Sequence, residues 1–175
     1  MTIGLVLLLV LAVVLFSVVA FRTSFYIVQP HEAGILIVLG NYRGTLPPGV
    51  NIVPPFISMV DTVDLRVQML TLHIDGAPTK DRKRVKMEAT LYIKVTSAER
   101  AYFEVEDYRK AVYRLTRITI DKLISDMDLE DVIYGRTKIS SKVKQMVNEQ
   151  SEGWGVQVDN LEVHKIQEYE ERRRG

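Results

Sequence analysis

Residues 1–21 constrain this chain more than any other stretch, because they contain no charged side chain. Fifteen of these twenty-one residues are Val, Ile, Leu or Phe. At about −0.3 to −0.6 kcal/mol each, such side chains favour bilayer insertion by roughly 5–9 kcal/mol in total. Wound as a helix, 3–21 is about 28 Å long, close to a hydrocarbon thickness of about 30 Å. The sequence therefore predicts an N-terminal transmembrane anchor that holds a polar domain beside a membrane.

A cleaved signal peptide is the alternative to a retained anchor. Val18 and Ala20 are small residues at a suitable spacing for cleavage, which would leave a secreted or periplasmic binding domain. However, no Lys or Arg precedes the apolar run, and the run exceeds the usual signal-peptide core of about 7–15 residues. Arg22 follows it directly, so for a retained anchor the positive-inside rule predicts a single-pass cell-membrane protein with a cytoplasmic domain.

The charged residues of the remaining chain are balanced, with 23 basic and 22 acidic side chains. This balance gives no general attraction to nucleic acid. The absence of cysteine excludes disulfides and thiolate metal sites. His31, His73 and His164 lie far apart, and none has a second histidine at helical spacing. The sequence predicts no metal site, no cofactor and no small-molecule substrate.

An apolar stretch at 50–57 is broken by Pro54 and Pro55. Proline cannot donate to a strand ladder, so this stretch predicts a loop or a sheet edge. Two interpretations stay open. The loop either enters the lipid headgroups through Phe56, Ile57 and Met59, or it folds over its own core.

A basic run precedes the most regular strand pattern in the chain, at 85–95, where apolar and polar residues alternate. The run therefore lies at the tip of a predicted hairpin, and it contains Lys80, Arg82, Lys83 and Arg84. It is either a solvated tip or a contact for anionic lipid, where each basic residue adds about 1 kcal/mol.

Asp107 predicts the start of the main helix. A mostly apolar face follows it at helical spacing: Tyr108, Ala111, Val112, Leu115, Ile118, Thr119, Lys122 and Leu123. The opposite face is mostly basic and carries Arg109, Lys110, Arg114, Arg117 and Asp121, of which Arg109, Arg114 and Arg117 are the candidate contact residues. This face is either solvated or a contact between subunits. Shorter helices are predicted after Ser97, Asp128 and Thr137, and a last strand at 156–166.

The stretch 167–175 is polar throughout, and Glu168–Arg172 and Glu170–Arg174 are i,i+4 pairs that support a helix. It predicts the start of a charged, coiled-coil helix that is cut short, either by truncation or in the natural protein.

Several short pieces, in order and at a set spacing, resemble the SPFH group, also called the band-seven family: stomatin, prohibitin, flotillin and the HflK/HflC proteins. Within this group the chain is most similar to prokaryotic stomatin-like proteins. The resemblance spans about 27–166, and 103–108 is its most specific part. The pieces are Val28, Glu32, Gly34, Leu39, Gly40, Tyr42, Leu46, Pro48, Gly49, Pro55, Phe56, 63–66, 79–81, 103–108 and 154–156.

The resemblance implies an α+β fold, in which a transmembrane helix precedes an SPFH domain with a twisted, mostly antiparallel sheet and helices on one side. The expected divisions are a transmembrane anchor at 1–21, a membrane-proximal β-rich lobe at 22–78, an α/β lobe at 79–166 and the start of a charged helix at 167–175. The long helix that usually follows in the family is missing after Arg174.

The resemblance also implies a function, that of a membrane-anchored oligomeric scaffold without enzymatic activity. Such proteins form homo-oligomers on the bilayer, organise membrane domains, and regulate or sequester a membrane protease or channel. A membrane protease or an NfeD-type protein is the implied partner.

A membrane-bound hydrolase is the competing enzymatic hypothesis. The sequence has no G-x-S-x-G elbow, no H-E-x-x-H and no G-x-x-x-x-G-K phosphate loop. The carboxylates that could pass for an acid–base pair are Asp61 with Asp64 and Asp126 with Asp128, and both pairs are better interpreted as strand and helix-end residues. We therefore expect no catalytic residue.

Overall fold

The computed structural model describes residues 2–169, except for the side chains at 2, 3 and 5. It divides the chain into two compact units, 1–64 and 65–175. The sequence placed a lobe boundary at residue 78, but this residue lies within the second unit, at the end of one of its strands. That strand is held there by pairing with the strand that follows it.

The first unit contains one helix and five strands among its described residues: α1 Thr2–Thr23, β1 Phe25–Val28, β2 Glu32–Val38, β3 Asn41–Leu46, β4 Gly49–Ile52 and β5 Ser58–Asp64. Strand β1 pairs with β4 in a two-stranded ribbon, and β2 lies between β3 and β5 in a second sheet. All pairings are antiparallel. The core of this unit is small, with Val28, Ile35 and Val63 among its buried side chains.

The second unit, as far as Tyr169, contains three strands and four α-helices: β6 Gln68–Pro78, β7 Arg84–Val95, α2 Ala98–Phe103, α3 Tyr108–Ser125, α4 Leu129–Tyr134, α5 Arg136–Ser151 and β8 Val156–Glu168. Strand β7 is central, and both its neighbours run antiparallel to it. Helix α3 packs against β6, α5 packs against β8, and the two helices pack against each other. The predicted α+β fold with helices on one side of an antiparallel sheet is confirmed.

The alternation predicted at 85–95 places one face of β7 in the core of the second unit. Val85, Met87, Leu91 and Ile93 are fully buried, and the residues between them lie on the other face of the sheet. Each such buried side chain contributes roughly 1.5–3 kcal/mol to folding. The predicted helix starts also hold, since Ser97 and Asp107 accept backbone hydrogen bonds from Arg100 and Lys110.

The backbone at Gly155, shortly after α5, lies close to the backbone just before α2. Gly155 has a positive φ of 65° and its carbonyl accepts hydrogen bonds from the backbone N–H groups of Thr96 (2.8 Å) and Ser97 (3.1 Å). A Cβ at Gly155 would lie 2.5 Å from the carbonyl oxygen of Ser97. Both the dihedral and the close approach therefore require glycine here.

The helix expected at 167–175 is not seen where the chain is described. Gln167 and Glu168 extend β8, because they pair with Lys86 and Val85 of β7. Residues 170–175 lie outside the described residues.

Candidate membrane and assembly surfaces

The ribbon of β1 and β4 presents an exposed apolar face, which we call the ribbon face. Phe25 pairs opposite Ile52 and Ile27 opposite Val50, so all four side chains lie on one side. Ile27 and Ile52 are 73% and 75% exposed. The ribbon begins directly after α1, whose Phe21 ring contacts that of Phe25 at 5.0 Å. An exposed apolar cluster of this kind marks a protein or membrane contact.

Sequence reasoning missed the ribbon face. Its signal was present, since Phe25 and Ile27, and likewise Val50 and Ile52, stand two residues apart as on one face of a strand. The pairing of two strands that are distant in sequence was needed to join them.

The proline-stiffened loop carries three of the candidate membrane-contact residues that the sequence singled out. Phe56, Ile57 and Met59 are all exposed, at 63%, 46% and 61%. The loop does not fold over its own core at these positions. Instead, the Phe56 ring stacks on that of Phe16 of α1, with centroids 5.7 Å apart. Phe16 lies seven residues before the end of α1, which corresponds to about 10 Å along the helix.

The basic run lies at the tip of the β6–β7 hairpin, as predicted. Lys80, Arg82, Lys83 and Arg84 are all exposed. Asp81 lies among them, with one carboxylate oxygen 4.0 Å from the Lys83 ammonium. Lys86, on the strand, is paired with Asp75 at 3.1 Å. The tip itself therefore keeps a net positive charge.

If this tip binds anionic lipid, replacing Lys80, Arg82, Lys83 and Arg84 by Gln should weaken vesicle binding by tenfold or more. The reason is that each basic residue near such a surface contributes about 1 kcal/mol. The measurement is co-sedimentation of residues 22–175 with vesicles that contain phosphatidylserine. The control has the same charge change at other exposed positions: Lys94, Lys122, Lys138 and Lys142. Equal losses in both variants would show that the tip is only solvated.

Asp81 connects the hairpin tip to the helical layer of its own unit. Its carboxylate accepts hydrogen bonds from the Thr79 hydroxyl (2.5 Å) and from the backbone N–H of Leu129 (3.3 Å), the first residue of α4. Asp128, the predicted cap of α4, makes no side-chain capping bond. The Thr79 hydrogen bond, helped by the Leu129 N–H and the Lys83 charge, holds the pKa of Asp81 below its ordinary value.

Replacing Asp81 by Asn should therefore destabilise the second unit in a pH-dependent way. A carboxyl with a lowered pKa stabilises the fold above its ordinary pKa of 3.8 and loses that effect as the pH falls through its folded value. The difference in the free energy of unfolding between wild type and Asp81→Asn should be constant near neutral pH. It should disappear as the pH falls below about 4. Urea unfolding followed by Trp154 fluorescence measures it. Asp128→Asn, with the same charge change but no capping bond to lose, should leave stability nearly unchanged at pH 7.

The basic face of α3 is exposed, as predicted, at Arg109, Arg114 and Arg117. Together with Leu70 of β6 and Tyr113 these residues line a groove of about 330 Å³. Asp121, which the sequence placed on the same face, is half-buried, and burial raises its pKa although Arg117 lowers it. The face is thus a groove with an apolar floor and a cationic rim.

The carboxylates considered for acid–base chemistry are not arranged as a pair. Asp61 and Asp64 lie three residues apart on β5, so they point to opposite faces. Asp126 and Asp128 are exposed at the start of α4. Among residues 2–169, no group of three His, Asp or Glu side chains could hold a metal ion.

Comparison with known proteins identifies relatives that match most of this chain. An uncharacterized protein of Methanocaldococcus jannaschii is 35% identical over 140 residues, which are 80% of this chain and 70% of that protein. A second uncharacterized protein, from Archaeoglobus fulgidus, is 32% identical over 95% of this chain and 65% of its own length. A protein named stomatin homolog in Pyrococcus horikoshii is 24% identical over 89% of this chain and 58% of its own length.

The family comparison covers most of both units. The model described as SPFH domain / Band 7 family matches residues 26–173. This match includes the ribbon, the proline loop, the basic tip and the α3 groove, and it begins just after α1. The resemblance read from the short sequence pieces is therefore confirmed, and the chain belongs to the SPFH domain / Band 7 family.

Proposed function

We propose that this chain is a membrane-anchored scaffold that assembles with copies of itself and regulates or sequesters a membrane protease or channel. Proteins of the SPFH family are in general membrane-associated scaffolds without enzymatic activity. The described residues include one helix that is long and apolar enough to cross a bilayer. In the proposal α1 is the retained anchor, and Arg22 favours a cytoplasmic domain.

The stacking of Phe56 on Phe16 is the observation that carries the membrane part of this proposal. If α1 spans the bilayer, a ring that touches Phe16 lies about 10 Å below the level at which the helix ends. Ile57, Met59 and the ribbon face add exposed apolar surface in the same unit. Apolar side chains at that depth stabilise insertion through their buried area. The first unit thus contacts lipid through more than its anchor.

Lipid contact by the loop can be measured with tryptophan fluorescence. In a Trp154→Phe background, Phe56→Trp should show blue-shifted emission and strong quenching by phospholipids brominated in the acyl chain. Tyr26→Trp is the matched control, because Tyr26 lies on β1 but on the side opposite the ribbon face. We expect at least twofold stronger quenching at position 56. Equal and weak quenching at both positions would contradict the membrane part of the proposal.

The anchor is tested separately by the N-terminal sequence of the mature chain in membranes. Retention of residues 1–21 supports the scaffold, whereas a start near Phe21 would favour the secreted or periplasmic binding domain.

Self-assembly is supported by the α3 groove, because a cationic rim around an apolar floor suits a protein contact. We propose that Arg109, Arg114 and Arg117 contact a neighbouring copy. A membrane protease or an NfeD-type protein is the proposed client. The mass of the detergent-solubilised chain, measured by light scattering, tests self-assembly directly.

A further inference from the structure

Four of the six described residues that line the cationic groove of α3 are basic, and the other two are Leu70 and Tyr113. Lys110 pairs with Asp107 at 3.0 Å, and the Arg109 guanidinium lies 5.8 Å from the centre of the Tyr108 ring. The two remaining arginines differ, because Arg117 lies close enough to Asp121 to lower the pKa of that carboxyl, whereas Arg114 has no such charge partner among the described residues. Their exposed side chains stand over the half-buried Leu70 and Tyr113. The groove therefore fits an acidic ligand that also carries an apolar or aromatic group.

The same unit carries a surface with that chemistry, which we call the acidic knob. Its centre is Tyr134, the last residue of α4, whose side chain is 81% exposed. Glu130 and Asp131 lie one turn before it, and Asp126 and Asp128 precede the helix. All four carboxylates are exposed and have no ion pair among the described residues. An exposed tyrosine near several carboxylates is complementary in charge to the groove, and its ring matches the apolar groups that line it.

One chain cannot satisfy both surfaces by itself. Arg114 lies in the middle of α3, and Asp126 follows the last residue of that helix. The twelve residues between them correspond to about 18 Å along the helix axis. An arginine side chain is too short to cross this distance, so the groove and the knob of one chain do not pair with each other.

We propose that the acidic knob of one copy occupies the cationic groove of the next copy. The Tyr134 ring packs on Leu70 and Tyr113, and Glu130 and Asp131 pair with Arg114 and Arg117. Arginine guanidinium groups bind carboxylates through two parallel hydrogen bonds and also stack on aromatic rings. Tyrosine and arginine are the residues in which interface energy is concentrated. This inference rests on the proposed self-assembly and names its contact.

The contact joins two different patches, so it is heterologous. Each copy then offers one knob and one groove, and the contact repeats from copy to copy. A repeated heterologous contact closes into a ring when its rotation divides a full turn, and extends without limit when it does not. The proposal thus predicts assemblies larger than dimers from a single type of interface.

The test uses the full chain in detergent, with assembly followed by light scattering and folding by circular dichroism. Three variants should each raise the concentration needed for assembly at least tenfold: Arg114→Glu with Arg117→Glu, Glu130→Arg with Asp131→Arg, and Tyr134→Ser. Lys94→Glu with Lys165→Glu is the control, because both lysines are exposed on strands of the sheet and the charge change equals that of the groove variant. This control should assemble like wild type.

Mixing decides whether the two surfaces meet each other. The groove variant keeps a knob, the knob variant keeps a groove, and the reversed knob also matches the reversed groove in charge, so an equimolar mixture should assemble at concentrations at which neither variant assembles alone. A chain carrying both charge reversals together should regain assembly. If wild type assembles but the mixture gives no complex, or only the groove variant loses assembly, the groove has another occupant and this inference is overturned. A wild type that stays monomeric would overturn the proposed self-assembly as well.

Discussion

Replacing Gly155 by alanine should lower the free energy of unfolding of the second unit by roughly 2–4 kcal/mol. An L-residue in the left-handed region costs roughly 1–2 kcal/mol, and the remainder comes from steric overlap, a recognised cause of large destabilisation. The new Cβ would lie 2.5 Å from the Ser97 carbonyl oxygen and 2.8 Å from the Arg100 Cβ. These atoms belong to the start of α2, which the Gly155 carbonyl itself holds. The substitution therefore separates two elements of the unit rather than disturbing one loop.

Thermal unfolding in detergent, followed through the neighbouring Trp154, measures this effect. The midpoint should fall by roughly 10 °C or more for a unit of this size. Gly153→Ala is the matched control, since Gly153 has no positive φ and a Cβ there meets nothing within 4 Å. Equal midpoints for the two variants would show that the close approach of the backbone at Gly155 to the start of α2 can relax, and the argument for a required glycine would be wrong.

The parts of the fold that could be predicted are those whose cause is local in sequence. The buried face of β7 follows from strict alternation. Ser97 and Asp107 cap α2 and α3 because a short polar side chain stands just before each apolar pattern. In each case the residues that determine the structure are within a few positions of the structure that they determine.

The buried face of α3 shows where local reasoning fails. The sequence put Ile118 on the apolar face, yet its side chain is 65% exposed, and Ile120 is fully buried instead. Thr116 and Thr119 share the buried face, and their hydroxyls donate to the carbonyls of Val112 and Leu115. Threonine can face the core once this hydrogen bond is made. The predicted face was therefore correct at Val112, Thr119 and Leu123 but wrong at 116, 118 and 120.

The candidate surfaces also depend on contacts between distant residues. Asp81 caps α4 from 48 positions away, and the ribbon face needs β1 to pair with β4 across two other strands. The individual residues of the groove and the tip were visible in the sequence as exposed charges. Leu70, which lies beside the arginines of the groove, was not visible in this way, because tertiary packing brings β6 against α3.

Two arginines in the middle of α1 should release the chain from the membrane. A leucine at the helix centre favours membrane insertion by about 0.3–0.6 kcal/mol, whereas an arginine there opposes it by about 2.5–3.5 kcal/mol. Leu11→Arg and Leu15→Arg each make this change. The combined loss of about 6–8 kcal/mol offsets most of the roughly 5–9 kcal/mol that favours insertion of the helix. Both leucines are exposed, at 59% and 57%, and they point away from Phe16, by about 140° and about 100° around the helix. The stacking on Phe56 should therefore survive.

Carbonate extraction of membranes measures this release, and the expected result is movement of most of the variant into the soluble fraction. Leu11→Ala with Leu15→Ala is the control, because it removes the same side chains without adding charge, and it should stay in the pellet. The variant with two arginines also separates the two membrane contacts of the first unit. If it stays on vesicles in neutral buffer, and adding Phe56→Ser removes it, then the loop binds lipid without the anchor. If it resists carbonate as wild type does, insertion of α1 is not what holds the chain, and the anchor proposal is wrong.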